Sequence, residues 1–141
     1  MKTRYKICIL SIVILTFSCN KGDDDSDSQQ QQEQTTIELL TSGKWYFESK
    51  TPGAYTACEK RGYIQFMENG NLVLNSFDDG SGTCESLGEI TATYILTNNR
   101  SLTLIFEPDN QSAVIDSISE DEFKITNSNN GEKIVFDKTE G

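Results

Sequence analysis

Apolar residues follow three different patterns along the chain. Residues 7–17 form one uncharged, largely apolar run, and residues 20–36 contain no core-forming side chain. From Ile37 onward, apolar and polar residues alternate in short segments separated by turn-forming residues. Such alternation is typical of β-strands with one buried face. The patterns divide the chain into a leader at 1–18, a tether at 19–36 and one domain at 37–139.

The alternating region predicts eight strands, preceded by a short helical segment at residues 36–40 that ends before Gly43. The strands are predicted at 44–49, 63–67, 71–77, 89–97, 101–107, 113–119, 122–127 and 133–138. Residues 113–119 do not keep a clean two-residue period, which indicates a β-bulge. The predicted fold class is all-β: an eight-stranded antiparallel up-and-down barrel with a short N-terminal helix.

The predicted connections fall into two groups. In a meander, odd-to-even connections lie at one end of the barrel and even-to-odd connections lie at the other. The even-to-odd connections are predicted to be tight, at residues 68–70, 98–100 and 120–121. The odd-to-even connections are predicted to be longer, at 50–62, 78–88, 108–112 and 128–132.

The first residues have the features of an export signal. Lys2, Arg4 and Lys6 precede the apolar run, which is shorter than the roughly 20 residues that a transmembrane helix needs. It has the length of a signal-peptide core, which is removed. Ser18 and Cys19 then follow.

This arrangement resembles the lipobox of bacterial lipoproteins, in which the cysteine is acylated and becomes the mature N-terminus. Phe17 departs from the commonest lipobox. The residues after Cys19, Asn20 through Asp25, are similar to the lysine-plus-acidic stretch that exports lipoproteins to the cell surface in the Bacteroides–Flavobacterium group. The resemblance implies an outer-membrane protein anchored by acylated Cys19 and exposed at the surface.

The tether and the net charge limit the possible partners. Residues 23–28 are rich in Asp and Ser and run into Gln29, a composition typical of a disordered linker. The alternative, a calcium loop, lacks the required glycine and terminal glutamate. The formal charge of −10 becomes −13 when the three positive charges of residues 1–18 are removed. So acidic a surface disfavours nucleic acid as a partner, and the absence of histidine excludes histidine-based catalysis.

Two cysteines remain for the mature domain, because Cys8 leaves with the leader and Cys19 takes the lipid. Cys58 and Cys84 fall in predicted long loops on either side of the same hairpin. In an oxidising compartment two such cysteines form one structural disulfide. A redox-active pair is the alternative, but it would normally have CxxC spacing.

Several motifs resemble the lipocalin-like domains of bacterial lipoproteins over roughly residues 37–139. These are Gly43-Lys44-Trp45, Ile64-x-Phe66-x3-Gly70-x-Leu72, the paired loop cysteines, and Ser119 to Phe123. The resemblance implies that Trp45 plugs the tight-turn end of the barrel. Lipocalins often pack a late-strand arginine over this tryptophan, and Lys133 and Lys138 are the candidates here.

The resemblance also implies a binding module that takes a small apolar ligand at the long-loop end. The candidate lining residues are Phe47, Phe66, Leu74, Tyr94, Leu104, Phe106 and Phe136. The alternative is a protein or glycan interaction domain with a packed barrel, for which Tyr55 and Phe77 are possible contacts. Catalysis by loop carboxylates (Glu59, Asp78, Asp79, Glu85) and metal binding by residues 78–82 are disfavoured, because such carboxylates are usually solvated turn residues. No enzyme activity, cofactor or metal is therefore predicted.

Overall fold

The computed structural model of the protein describes residues 34–141. The leader, Cys19 and nearly all of the tether lie outside the described residues. No helix within 34–141 is long and apolar enough to cross a membrane.

The described chain contains one short α-helix, one 3₁₀ turn and eight strands. In chain order these are α1 (Thr36–Leu40), β1 (Lys44–Thr51), the 3₁₀ turn (Glu59–Arg61), β2 (Tyr63–Phe66), β3 (Asn71–Asp78), β4 (Glu85–Thr97), β5 (Ser101–Phe106), β6 (Asp109–Ile118), β7 (Glu122–Asn127) and β8 (Lys133–Asp137).

Each strand pairs antiparallel with the next, and β1 also pairs with β8, which closes the barrel. The prediction of an eight-stranded up-and-down barrel is confirmed. We call the end with the connections 67–70, 98–100 and 119–121 the closed end. The other end, with connections 52–62, 79–84, 107–108 and 128–132, is the open end. The bulge predicted in β6 is confirmed by a register shift between Ile115 and Ser117.

Two strand starts differ from the prediction, and both differences have the same cause. β4 begins at Glu85 rather than at residue 89, and β6 begins at Asp109 rather than at residue 113. Residues 85–88 and 109–111 are exposed and Ser112 is half-buried, so neither added segment buries an apolar side chain that would give it an alternating pattern. They are strands because their backbones pair with β3 and β5, respectively.

The early start of β6 changes the open end of the barrel. Because β6 starts early, the β5–β6 connection is only Glu107 and Pro108, so the prediction of a long loop there was wrong. The long connections of the open end are 52–62 and 79–84.

Helix α1 precedes the closed end of the barrel, and its first turn is stabilised by an N-terminal cap. Thr35 and Glu38 form a reciprocal capping box, and these hydrogen bonds lower the pKa of Glu38. Gly43 has a positive φ of +129°, a backbone conformation that favours glycine. The chain turns there and enters β1. Leu40 is thereby fully buried in the barrel core.

Candidate functional site

Trp45 fills the closed end of the barrel. It is 0% exposed, and its ring centroid lies 5.5 Å from that of Phe123. The indole Nε1 donates a hydrogen bond of 2.9 Å to the carbonyl of Leu40. This bond matters because a buried donor without a partner costs about 1–3 kcal/mol. Helix α1 therefore both covers the tryptophan and satisfies its only polar group.

Of the two candidate cations, Lys138 lies over the tryptophan. Its Nζ is 3.3 Å from the centroid of the Trp45 ring and donates to Oγ of Ser42 at 2.8 Å. Burial lowers the pKa of Lys138, while the carboxylate of Asp121 opposes that shift. Lys133 lies at the opposite end of β8.

An apolar cavity of about 160 Å³ lies inside the barrel. Six of the seven predicted lining residues contribute to its wall: Phe47, Phe66, Leu74, Leu104, Phe106 and Phe136. The seventh, Tyr94, does not line it. Tyr94 is buried elsewhere in the barrel, with its ring edge-on to Phe66 at 5.0 Å and its hydroxyl donating to the carbonyl of Met67 at 2.8 Å.

Burial of the cavity wall decreases toward the open end. Phe66, Leu102 and Phe123 are almost completely buried, whereas Phe47, Leu104 and Phe106 are only partly buried. The buried three lie within one residue of the closed-end terminus of their strands, whereas the partly buried three lie at least three residues from it. Access to the cavity is therefore from the open end.

The cavity wall carries no charge. Its polar members are Gln111, Ser112 and Asn127, and the rest are apolar. The volume is close to that of engineered cavities of about 150 Å³ that bind benzene, and below the roughly 300–1,000 Å³ of drug-sized sites. The wall is thus suited to a small neutral apolar molecule.

Sequence reasoning missed the polar members of the wall. The alternation pattern predicts the start of β6 at residue 113 and so places Gln111 and Ser112 in a loop, whereas β6 begins at Asp109. Their positions in the β5–β6 ladder, opposite Leu104 and Thr103, could have been found only by extending the strand pairing through a polar segment.

Tyr55 covers part of the open end. Its ring packs on Phe47 with centroids 5.1 Å apart, and Nζ of Lys50 lies 4.5 Å from its centroid. Burial, followed by the charges of Glu132 and Glu59, raises the pKa of Tyr55. The phenol therefore stays neutral at physiological pH.

The loop that carries Tyr55 is fixed by the Cys58–Cys84 disulfide. This bond joins the β1–β2 and β3–β4 connections, as predicted from the positions of the cysteines. Next to it, Arg61 lies over the ring of Phe77 at 4.8 Å and pairs with Glu140 at 3.1 Å. The open end is thus tied to the C-terminal residues as well as to a second loop.

The candidate loop carboxylates do not form a metal centre. Within residues 34–141, no group of three or more Cys, Asp or Glu side chains is arranged to hold an ion. Glu59 is instead used locally, since it accepts from the backbone N–H of Thr56 at 2.7 Å and lies 3.9 Å from Nζ of Lys50.

A barrel closed at one end by a buried tryptophan and open at the other is an up-and-down barrel of the lipocalin type. The lipocalin-like domain family matches residues 41–125, and the chain belongs to that family. This confirms the resemblance drawn from the motifs. No curated protein matches the sequence.

Two solved structures from Bacteroides species share the fold. A lipocalin-like protein from Bacteroides uniformis ATCC 8492 is 14% identical, with a TM-score of 0.53 over 71% of this chain and 99% of that chain. An uncharacterized protein from Bacteroides eggerthii DSM 20697 is also 14% identical, with a TM-score of 0.51 over 69% of this chain and 98% of that chain. At this identity the similarity shows the fold alone.

Truncating the closed-end plug should destabilise the domain. Trp45→Ala removes a fully buried aromatic side chain, so the free energy of unfolding should fall by about 3–5 kcal/mol. Urea unfolding followed by far-ultraviolet circular dichroism measures the change. The control is Ile95→Ala, at a residue that is 54% exposed; it should change stability by less than about 0.5 kcal/mol. A loss below about 1 kcal/mol for Trp45→Ala would contradict the plug role.

Removing the disulfide should weaken the domain without changing its fold. The bond spans a sequence separation of 26 residues, and closing such a loop contributes roughly 3–4 kcal/mol by restricting the unfolded chain. The Cys58→Ser/Cys84→Ser protein should therefore unfold at lower urea concentration with a similar far-ultraviolet spectrum. Two reactive thiols in the native mature domain would show that the bond is absent.

Proposed function

We propose that the protein is a lipid-anchored binding module of the cell envelope, exposed at the outer-membrane surface, that holds a small neutral apolar ligand at the open end of its barrel. The observation that carries the proposal is the uncharged apolar cavity of about 160 Å³. No catalytic role is proposed.

The cavity supports the ligand-binding proposal because a void of this size is unusual in a protein core. Native interiors are close-packed, with few voids larger than a water molecule. Only Gln111, Ser112 and Asn127 offer polar groups in the wall, and these allow a ligand one or two hydrogen bonds near the open end. The uncharged wall provides no cation for a carboxylate, which favours neutral ligands over fatty acids.

The proposed orientation follows from where the tether joins the domain. Residue 34 leads into α1 and then into β1 at the closed end. An anchor at Cys19 would therefore leave the open end facing away from the membrane, where a ligand can reach the cavity past Tyr55.

The second candidate is a surface interaction domain with no internal ligand. It is favoured by the packing of the closed-end half, where the large side chains of Trp45, Phe66 and Phe123 are fully buried. The first candidate function requires the cavity to bind a ligand and the second does not. One ligand-binding experiment therefore distinguishes them.

Small neutral apolar compounds should stabilise the domain, and blocking the cavity should abolish this effect. Benzene, toluene and indole are the probes, and the measurement is the shift in Tm with ligand concentration, because binding to the native state alone stabilises by RT ln(1 + [L]/Kd). Leu104→Trp should fill the cavity and remove the shift. Ile95→Trp adds the same side chain at an exposed position and should keep it. If the wild-type Tm does not respond to any probe, the packed-barrel candidate is favoured instead.

The anchor should depend on one cysteine. Cys19→Ser should release the protein from the membrane fraction and abolish labelling by radioactive palmitate in cells. Cys8→Ser is the matched control, because Cys8 lies within the predicted leader, and it should leave anchoring unchanged. A Cys19→Ser protein that is still processed and lipid-labelled would overturn the assignment.

A further inference from the structure

Strand β4 is much longer than the neighbour on its β5 side. β4 has 13 residues and β5 has 6, and the pairing between them stops at Thr93 opposite Ile105. Residues 85–86 and 89–92 pair with β3 on one side, and residues 87–88 bulge between them. Within the described part of the chain, no strand pairs with them on the other side.

The direction of the backbone groups along this edge follows from the antiparallel ladder. The N–H of Tyr94 donates to the carbonyl of Gly70 at 2.8 Å. Because hydrogen-bonded and non-hydrogen-bonded pairs alternate, Ala92 and Ile90 also point their backbone groups toward β3. Glu89 and Thr91 point theirs toward the unpaired side. This edge therefore presents donors and acceptors in the spacing that an added strand requires.

A groove of about 380 Å³ occupies the space that a longer β5 would fill. Its wall combines β4 residues, including Ile90 and Thr91, with Phe106 and Glu107 at the end of β5. Ile90 lies opposite Leu74 and so belongs to the inner face of the sheet, yet it is 54% exposed. An inward-facing apolar residue is exposed here because the neighbouring strand has ended.

The wall of the barrel that carries this groove is strongly acidic. Residues 71–118 contain one basic residue, Arg100, and seven acidic ones: Asp78, Asp79, Glu85, Glu89, Glu107, Asp109 and Asp116. Arg100 lies in the β4–β5 turn at the closed end, away from the groove. Glu85 and Glu107 flank the free edge and are exposed. The carboxylate of Glu89 accepts a hydrogen bond from the hydroxyl of Tyr63 on β2, so it adds negative charge to this wall but is directed across β3.

We propose that the free edge of β4 binds a short, basic, extended peptide segment of another protein as an added strand. The backbone of that segment pairs with Glu89 and Thr91. Its apolar side chains on one face contact Ile90 and Phe106, and its Lys or Arg side chains are attracted by Glu107 and Glu85. Addition of a strand to an exposed sheet edge is an established mode of peptide recognition. The proposal rests on the edge and its charge, and it does not depend on a ligand in the cavity.

The same features argue against a second copy of the chain as the occupant. A second β4 edge would bring its own Glu85 and Glu89, and like charges directly opposite each other in a sheet are destabilising. The register shift between Asn75 and Phe77 also places a bulge at residues 87–88, which interrupts the edge and limits the added strand to a few residues.

The test uses the folded domain and a capped Lys-Val-Lys-Val-Lys-Val peptide. Amide hydrogen exchange by nuclear magnetic resonance should show at least tenfold slower exchange at Glu89 and Thr91 when the peptide is added, with little change at Ile90 and Ala92. A capped Glu-Val-Glu-Val-Glu-Val peptide should give no protection. A Lys-Val peptide that is N-methylated on the backbone of its lysines keeps its charge but loses the donors that face Glu89 and Thr91 in an antiparallel pair, so it should bind at least tenfold more weakly.

Variants of the protein distinguish binding at the free edge of β4 from nonspecific electrostatic attraction. Glu85→Gln/Glu107→Gln should weaken binding of the Lys-Val peptide at least fivefold in fluorescence anisotropy, whereas Asp116→Asn on β6 should change its affinity less than twofold. Equal binding of the N-methylated peptide, or protection at amides other than Glu89 and Thr91, would overturn the proposal. Concentration-dependent protection of these amides without peptide would identify a second copy as the occupant and would also overturn it.

Discussion

The burial of Trp45 is the interaction on which the rest of the barrel depends. An indole can be removed from water at the end of a sheet only if its N–H finds a partner and its exposed face is covered. Leu40 provides the acceptor and Lys138 covers the ring. A cation over an aromatic face contributes about 0.5–2 kcal/mol depending on its exposure, and Lys138 is half-buried. Helix α1, the first strand and the residue after the last strand are thereby held together at one end.

Closing one end in this way sets the character of the other. The large side chains Trp45, Phe66 and Phe123 fill the closed-end half, so the remaining space lies between Phe66 and Phe123 on one side and Phe47, Leu104 and Phe106 on the other. Tyr55 and the Cys58–Cys84 bond then cover and fix the loops at that region. The cavity is consequently small, apolar and located where solvent can reach it.

The sequence predicts those parts of the structure in which side-chain burial and strand pairing coincide. Leu102, Leu104 and Phe106 alternate because one face of β5 lines the interior, so that strand and most of the cavity wall are predictable. Residues 85–88 and 109–112 form strands whose side chains are largely solvated, and only backbone pairing defines them. Gln111 and Ser112 were missed for this reason. The sequence contains two lysines near the end of the chain, Lys133 and Lys138, that could cover Trp45. Only the structure shows that Lys138, just after β8, is the one beside the tryptophan.

The short β5–β6 hairpin explains two features that look unrelated. Because the chain turns at Glu107 and Pro108, Phe106 lies at the boundary of the barrel and forms part of both the internal cavity and the external groove. The same turn leaves the backbone of Glu89 and Thr91 without a neighbouring strand. An unprotected edge of this kind would normally favour aggregation. Here the bulge at residues 87–88 and the surrounding carboxylates oppose pairing between identical chains. The proposed peptide edge would therefore select by charge, whereas the proposed ligand cavity, with no charge in its wall, would select by size and polarity.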